Sequence, residues 1–172
     1  MMPRINVTGG YTPGAIGAIV SLHAKYYAAG LDRGLEYEAR IATELSSFLV
    51  AMNPDHDLFL LASIYGMIAG SLSVDGSAFR TGEAQLRWLV LHPLYGPDHI
   101  CAALVKEALR FCLRKNYRRV VLVAYENSDL AQRLTGHWGF KLIEEVETRD
   151  WRHPVRQQFF ELGGWRAKGT PR

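Results

Sequence analysis

The segment His92 to Leu104, HPLYGPDHICAAL, gathers two histidines, an aspartate and a cysteine within a few residues of one another. It joins an apolar strand-like run, Leu86 to Leu91, to an amphipathic helix-like run, Ile100 to Arg114. A strand, a turn and a helix start make a natural anion cradle. The first turn of a helix has about four N–H groups without carbonyl partners, and a partial positive charge. Such cradles usually carry glycines, which let the backbone approach the anion. Here Pro97 has no N–H to give. Asp98 reads as an N-cap whose carboxylate bonds the N–H groups near Ile100 and Cys101, in the place an anion would take. His99 offsets that charge in part if protonated, and the donors of His99, Ile100, Cys101 and Ala102 remain. A normal anion loop with unusual lining, a weakened one and a simple capped turn are all compatible with these residues. Cys101 lies where a helix start favours thiolate, but with no assigned histidine partner it reads first as a half-buried helix residue. His92, His99 and Cys101 lack the paired spacing and fourth ligand of a zinc site, so no metal is expected.

A second glycine-bearing stretch, Thr8 to Gly17 (TGGYTPGAIG), also follows a possible strand and opens a helix. Its spacing is not G-x-G-x-x-G, another helix follows instead of a strand, and no acidic residue ends a second strand to hold a ribose. It reads as a turn and a helix cap. No nucleotide P-loop is present.

The elements that must position these residues follow from periodicity. Arg4 to Val7 reads as a short strand. A helix follows from Thr12-Pro13 to about Ala29, and a second from Glu36 to Met52 with Ile41, Leu45, Phe48 and Leu49 on one face. Leu58 to Ile64 and Met67 to Val74 form a hairpin around Tyr65-Gly66, and Glu83 to Leu91 is the next strand. Strict alternation puts Leu86, Trp88 and Val90 on one face of it, and Gln85 and Arg87 on the other. After the helix that includes Ile100, Leu104, Ala108 and Phe111, the unbroken run Arg119 to Ala124 predicts a strand covered on both faces. A short helix, Leu130 to Trp138, and two strands, Lys141 to Thr148 and Val155 to Leu162, complete the order. One α/β domain is expected over 1–162, with a mixed, mostly antiparallel sheet of about seven strands flanked by four helices. Residues 163–172 read as a polar, mobile tail.

The chain has 172 residues, 48% hydrophobic and 22% charged, with a formal net charge of +3. That suits one globular domain. No basic run forms a nucleic-acid stripe, so no nucleic-acid partner is expected. No apolar run approaches the ~18 residues of a membrane span. Ala15 to Ala24 is apolar but lacks the charged flank of a signal peptide. Cys101 and Cys112 read as thiols in a reducing compartment, and a cytoplasmic location is expected.

The element order and three local signals resemble the GNAT acyl-CoA N-acyltransferases. The first is the strand into HPLYGPDHICAAL, against a family pattern near V-x-P-x-x-R-G-x-G-I-G-x-x-L. Aligning Pro93, Ile100 and Leu104 sets Gly96 at the family arginine, and Pro97, His99 and Cys101 at its glycines. The second is Asn127, then Leu134-Thr135, then Gly139-Phe140, against N, L-Y and G-F. The third is the surround EAQLRWLVLHP, RFCLRKNYRRVVLVAY and HWGFKLIEE. These segments look like the acetyltransferase half of bacterial regulators fused to a MarR-type DNA-binding domain, although no winged-helix segment is present here. The resemblance covers about Leu22 to Leu162.

The resemblance implies transfer of an acyl group, most simply acetyl, from acetyl-CoA to a primary amine of a small molecule or a protein. It implies monomer or homodimer. Acyl-CoA would lie in a splay between Glu83–Leu91 and Arg119–Ala124. Backbone at Val90, Leu91 and His92 would hold the acyl carbonyl and pantetheine arm, and Asn127 the same arm. The pyrophosphate would rest on the helix start, Gly96 to Ala102. Glu83 is the expected general base. Thr135 stands at the family tyrosine that protonates the leaving thiolate, and a threonine hydroxyl is a far weaker acid. Tyr125 and His137 are the replacements in view. Tyr37, Glu38 and Glu44, within Ala28 to Phe48, would face the acceptor. A non-catalytic module that binds acyl-CoA or another anion is the alternative.

Overall fold

The computed structural model describes residues 4–26, 34–77, 82–125, 128–150 and 153–162. Asn127, the first part of Ala28 to Phe48, and the 163–172 tail lie outside these. Among the described residues, strands β1 (Asn6–Gly9), β2 (Leu58–Ile64), β3 (Met67–Asp75), β4 (Glu83–Leu91), β5 (Arg119–Tyr125), β6 (Phe140–Asp150) and β7 (His153–Leu162) form one seven-stranded sheet. Its order is β1-β2-β3-β4-β5-β7-β6. Helices α1 (Ala15–Tyr26) and α2 (Gly34–Ala51) cover one face, and α3 (Pro97–Arg114) and α4 (Asp129–Trp138) the other. The expected α/β architecture is therefore present: every pairing is antiparallel except β4 with β5. The glycine-bearing stretch after β1 makes no dinucleotide unit, since β1 is an edge strand antiparallel to β2.

Each face has its own core. Ile100, Leu104, Ala108, Leu134 and Phe160 pack with Leu72, Leu86 and Leu122 on the α3/α4 side. Ile19, Leu45, Phe59, Trp88 and Val90 pack on the α1/α2 side. The α3 seat is tight: a Cβ on Gly70 would lie 2.8 Å from both Ile100 Cγ2 and the Val90 carbonyl oxygen. Only a residue without a side chain lets the start of α3 approach β3 this closely.

One expectation fails in β4, and the failure shapes the site. Ser71 pairs with Val90 but Ser73 pairs with Arg87, so β4 carries one extra residue. Trp88 absorbs it at φ 50°, in the left-handed region. Alternation is reset. Leu86 faces α3, whereas Trp88 and Val90 join the α1/α2 core on the side that Arg87 already faces. Arg87 and Trp88 thus share a face as sequence neighbours, the guanidinium carbon 4.0 Å from the indole centroid.

Candidate functional site

β4 and β5 pair from Glu83/Arg119 to Leu86/Leu122 and no further. Beyond that point β4 and β5 part. A cleft of about 690 Å³ opens there. It reaches α1 and α2 on one side and the first turns of α3 and α4 on the other. The splay expected from the resemblance is thus present, made by strands that begin in register and diverge at the bulge.

On the α1/α2 side the floor is Gln85, Arg87, Tyr125 and Gln157, and the wall is His23, Tyr37, Arg40 and Glu44. Four charges run in alternation. Arg40 Nε donates to Glu44 Oε1 at 2.7 Å, and Arg87 Nη2 donates to Glu44 Oε2 at 3.1 Å. Arg87 Nη1 donates to Asp75 Oδ2 at 2.9 Å. Asp75 is buried, and its other oxygen accepts from the Ser77 N–H and hydroxyl. Opposed charges that hydrogen-bond one another are what partial burial requires.

His23 is buried with Nδ1 3.2 Å from the Tyr37 hydroxyl. Burial lowers its pKa to about 4, against a smaller pull upward from a hydrogen bond to the Trp88 backbone. It is neutral at neutral pH. Burial pushes the Tyr37 phenol up, and the nearby Tyr125 adds to the shift. Tyr37 is therefore a phenol that donates or accepts hydrogen bonds, not a phenolate.

The expected site residues divide. Tyr125, Tyr37, Glu44 and Leu91 border the cleft. Glu83 does not: it pairs with Arg119 at 2.7 Å, at the joined end of β4 and β5, and Arg119 also holds Glu161 at 2.8 Å. The cleft opens at the other end of the strand, where Glu44 is the carboxylate on the α1/α2 side that borders it among the described residues. Glu38 is exposed on α2 away from the cleft. Thr135 is also outside, its hydroxyl donating to the Gln132 carbonyl at 3.1 Å, and His137 is exposed.

Val90 is buried against α1 and α2. The His92 N–H donates to the Ala69 carbonyl at 2.8 Å, and its ring packs between Tyr26 and Tyr95. Its Nδ1 accepts from the Leu94 N–H at 3.3 Å, capping a short 3-10 turn.

The helix start differs from expectation. Asp98 is not the N-cap. The cap is Gly96, at φ 70° and ψ 68°, which favours glycine, and Pro97 begins the helix. The N–H groups of His99 and Ile100 both donate to the Gly96 carbonyl, at 3.0 and 3.2 Å. They are spent, and Cys101 and Ala102 lie within the helix. Asp98 instead holds Arg133 of α4 in an ion pair. Cys101 is buried, and burial pushes its thiol up to about 11, so the thiolate reading fails. Of this segment, Pro97 borders the cleft. Among the described residues, no group of three or more His, Cys, Asp and Glu is placed to hold a metal ion. No described helix is long and apolar enough to cross a membrane.

His23, Arg40, Arg87 and Arg133 were not anticipated. His23 carried a usable signal, as a lone histidine in the apolar run AIGAIVSLHA. Arg40 and Glu44 stood at i,i+4 spacing on one helix, whereas Arg87 and Arg133 carried no local signal, since their partners lie farther along the chain.

No protein-family model matches the chain. No curated protein matches it either. Solved structures do. The acetyltransferase of GNAT family from Streptococcus pneumoniae is similar at TM-score 0.67 and 16% identity, over 92% of this chain and 98% of that one. The N-acetyltransferase from Staphylococcus aureus Mu50 is similar at TM-score 0.68 and 14% identity, over 92% and 98%. PaiA N-acetyltransferase from Thermoplasma acidophilum, in complex with coenzyme A, is similar at TM-score 0.66 and 18% identity, over 90% and 98%. The chain has the fold of the GNAT acetyltransferases.

Proposed function

We propose that the protein is an N-acyltransferase that moves an acyl group, most simply acetyl, from acyl-CoA to a primary amine by direct attack on the thioester. The observation that carries this reading is the splay: paired strands that part at Leu86/Leu122 over a cleft of about 690 Å³. A neighbour of the same fold was solved with coenzyme A. The cleft fits an elongated ligand, with an apolar centre at Leu86, Leu89, Leu91 and Leu122 and polar ends.

The acceptor amine enters on the α1/α2 side as the neutral base. Its nitrogen attacks the thioester carbonyl, and the carbonyl electrons move to oxygen. Backbone N–H of β4 beyond the point where the strands part stabilises that oxyanion. Glu44 receives the amine proton through water, using lone pairs its guanidinium partners leave open. The C–S bond then breaks, and Tyr125 protonates the thiolate. The acceptor is a small molecule or a protein amine.

The second reading is a module that binds acyl-CoA without turnover. Two observations favour it: the helix-start donors spent on Gly96, and the Thr135 hydroxyl turned to Gln132. The test is acetyl-CoA calorimetry followed by thiol release with a panel of amines. Micromolar binding with amine-dependent release is expected. Binding without release from any amine selects the second reading. No binding up to millimolar overturns both.

A further inference from the structure

The α3/α4 side of the cleft holds a contact that the chemistry above does not use. Asp98, in the first turn of α3, pairs with Arg133 of α4. Arg133 borders the cleft and is 31% exposed, whereas Asp98 lies outside the lining and is 67% exposed. Among the described lining residues, Arg133 is the only cation on this side. Arg40 and Arg87 stand on the α1/α2 side and are held by Glu44.

At the start of α3 the backbone is poor in donors, because Pro97 has no N–H and those of His99 and Ile100 go to Gly96. Asp98 puts a negative charge beside the helix start, and Asp129 adds another at the cleft edge. A ligand carrying phosphates meets the Asp129 carboxylate and a guanidinium already paired with Asp98. The first-turn N–H groups of α4 at Asp129 and Leu130 also border the cleft, but among the described residues Arg133 is the one full positive charge on this side that can turn to it.

We infer that Arg133 is the phosphate-binding residue of the cleft, and that Asp98 is the counter-ion holding it while phosphate is absent. This rests on the acyl-CoA reading and deepens it: the charge that the loop does not supply comes from α4. The exchange is easy in physical terms. An exposed carboxylate–guanidinium pair is weak in water, and a phosphate is a stronger, multiply charged acceptor. The forked guanidinium matches a phosphate as well as it matches Asp98.

The test is coenzyme A calorimetry on the full chain at fixed moderate salt. Wild type, Arg133→Gln, Arg133→Lys, Asp98→Asn and the double variant Arg133→Gln/Asp98→Asn are compared, each checked for folding by circular dichroism. Arg133→Gln weakens binding about tenfold, and Arg133→Lys restores part of it. Asp98→Asn tightens binding about threefold in wild type and much less when Arg133 is Gln. Equal tightening in both backgrounds overturns the counter-ion role, since it means direct repulsion of phosphate by Asp98. Unchanged affinity in Arg133→Gln, with wild type binding, overturns the inference and leaves the acyl-CoA reading standing. No binding by wild type removes both.

Discussion

At the α1/α2 end of the cleft, Glu44 holds Arg40 and Arg87 at 2.7 and 3.1 Å, and Arg87 continues to a buried Asp75. At the α3/α4 end a single exposed carboxylate, Asp98, holds Arg133. The first arrangement is anchored, because a buried carboxylate that loses its cation keeps its desolvation cost. The second is exchangeable, because water replaces either partner readily. One end of the cleft is built to stay as it is, and the other to release a cation to a ligand.

Breaking the anchored end has the largest expected effect. Arg87→Ala leaves Asp75, 3% exposed, without its guanidinium, and costs about 3 kcal/mol. A urea titration reads this as a lower midpoint at unchanged slope. A midpoint equal to wild type would mean that the chain of charges is ornament on a self-sufficient core.

His23 sharpens the same end by pH. Its folded pKa, about 4, lies below the ordinary histidine value of 6.5, so the unfolded chain takes the proton first as pH falls. Stability is complete above about 6.5 and is lost as pH falls towards about 4, by on the order of 3 kcal/mol. His23→Gln should flatten that slope in urea titrations across the range. Parallel profiles for the two proteins would show that folded His23 is protonated as easily as an exposed histidine.

Tyr125 tests the junction of the two ends. Tyr125→Phe should lower kcat for thiol release about 100-fold, with coenzyme A affinity unchanged. A fall in affinity with kcat intact would make it a packing residue. The smallest effect belongs to the exchangeable end: Arg133→Gln should shift stability by less than about 0.5 kcal/mol. A melting temperature that drops as far as that of Arg87→Ala would erase the contrast.

Local pattern carried most of the architecture. Leu58 to Ile64, Glu83 to Leu91 and Leu130 to Trp138 were legible because their apolar periods and their Gly, Pro and Asn stops agree. The Trp88 bulge was not. Period-2 reading assumes no inserted residue, and one insertion moved Trp88 and Val90 to the opposite face. The cap was misplaced for a related reason. Asp98 is a good N-cap by type, but Pro97 starts the helix one residue before it, and Gly96 takes the turn.

By itself, then, the chain's own order of residues determined the strands, the helices and the position of the loop between β4 and α3, since these depend on neighbours a few positions apart. Tertiary structure decided which charges meet. Glu44 finds Arg87 across 43 positions, Asp98 finds Arg133 across 35, and Glu83 is taken by Arg119 across 36. No local period encodes such partners. They follow from which strands part, which face a bulge selects and how closely α3 sits on Gly70.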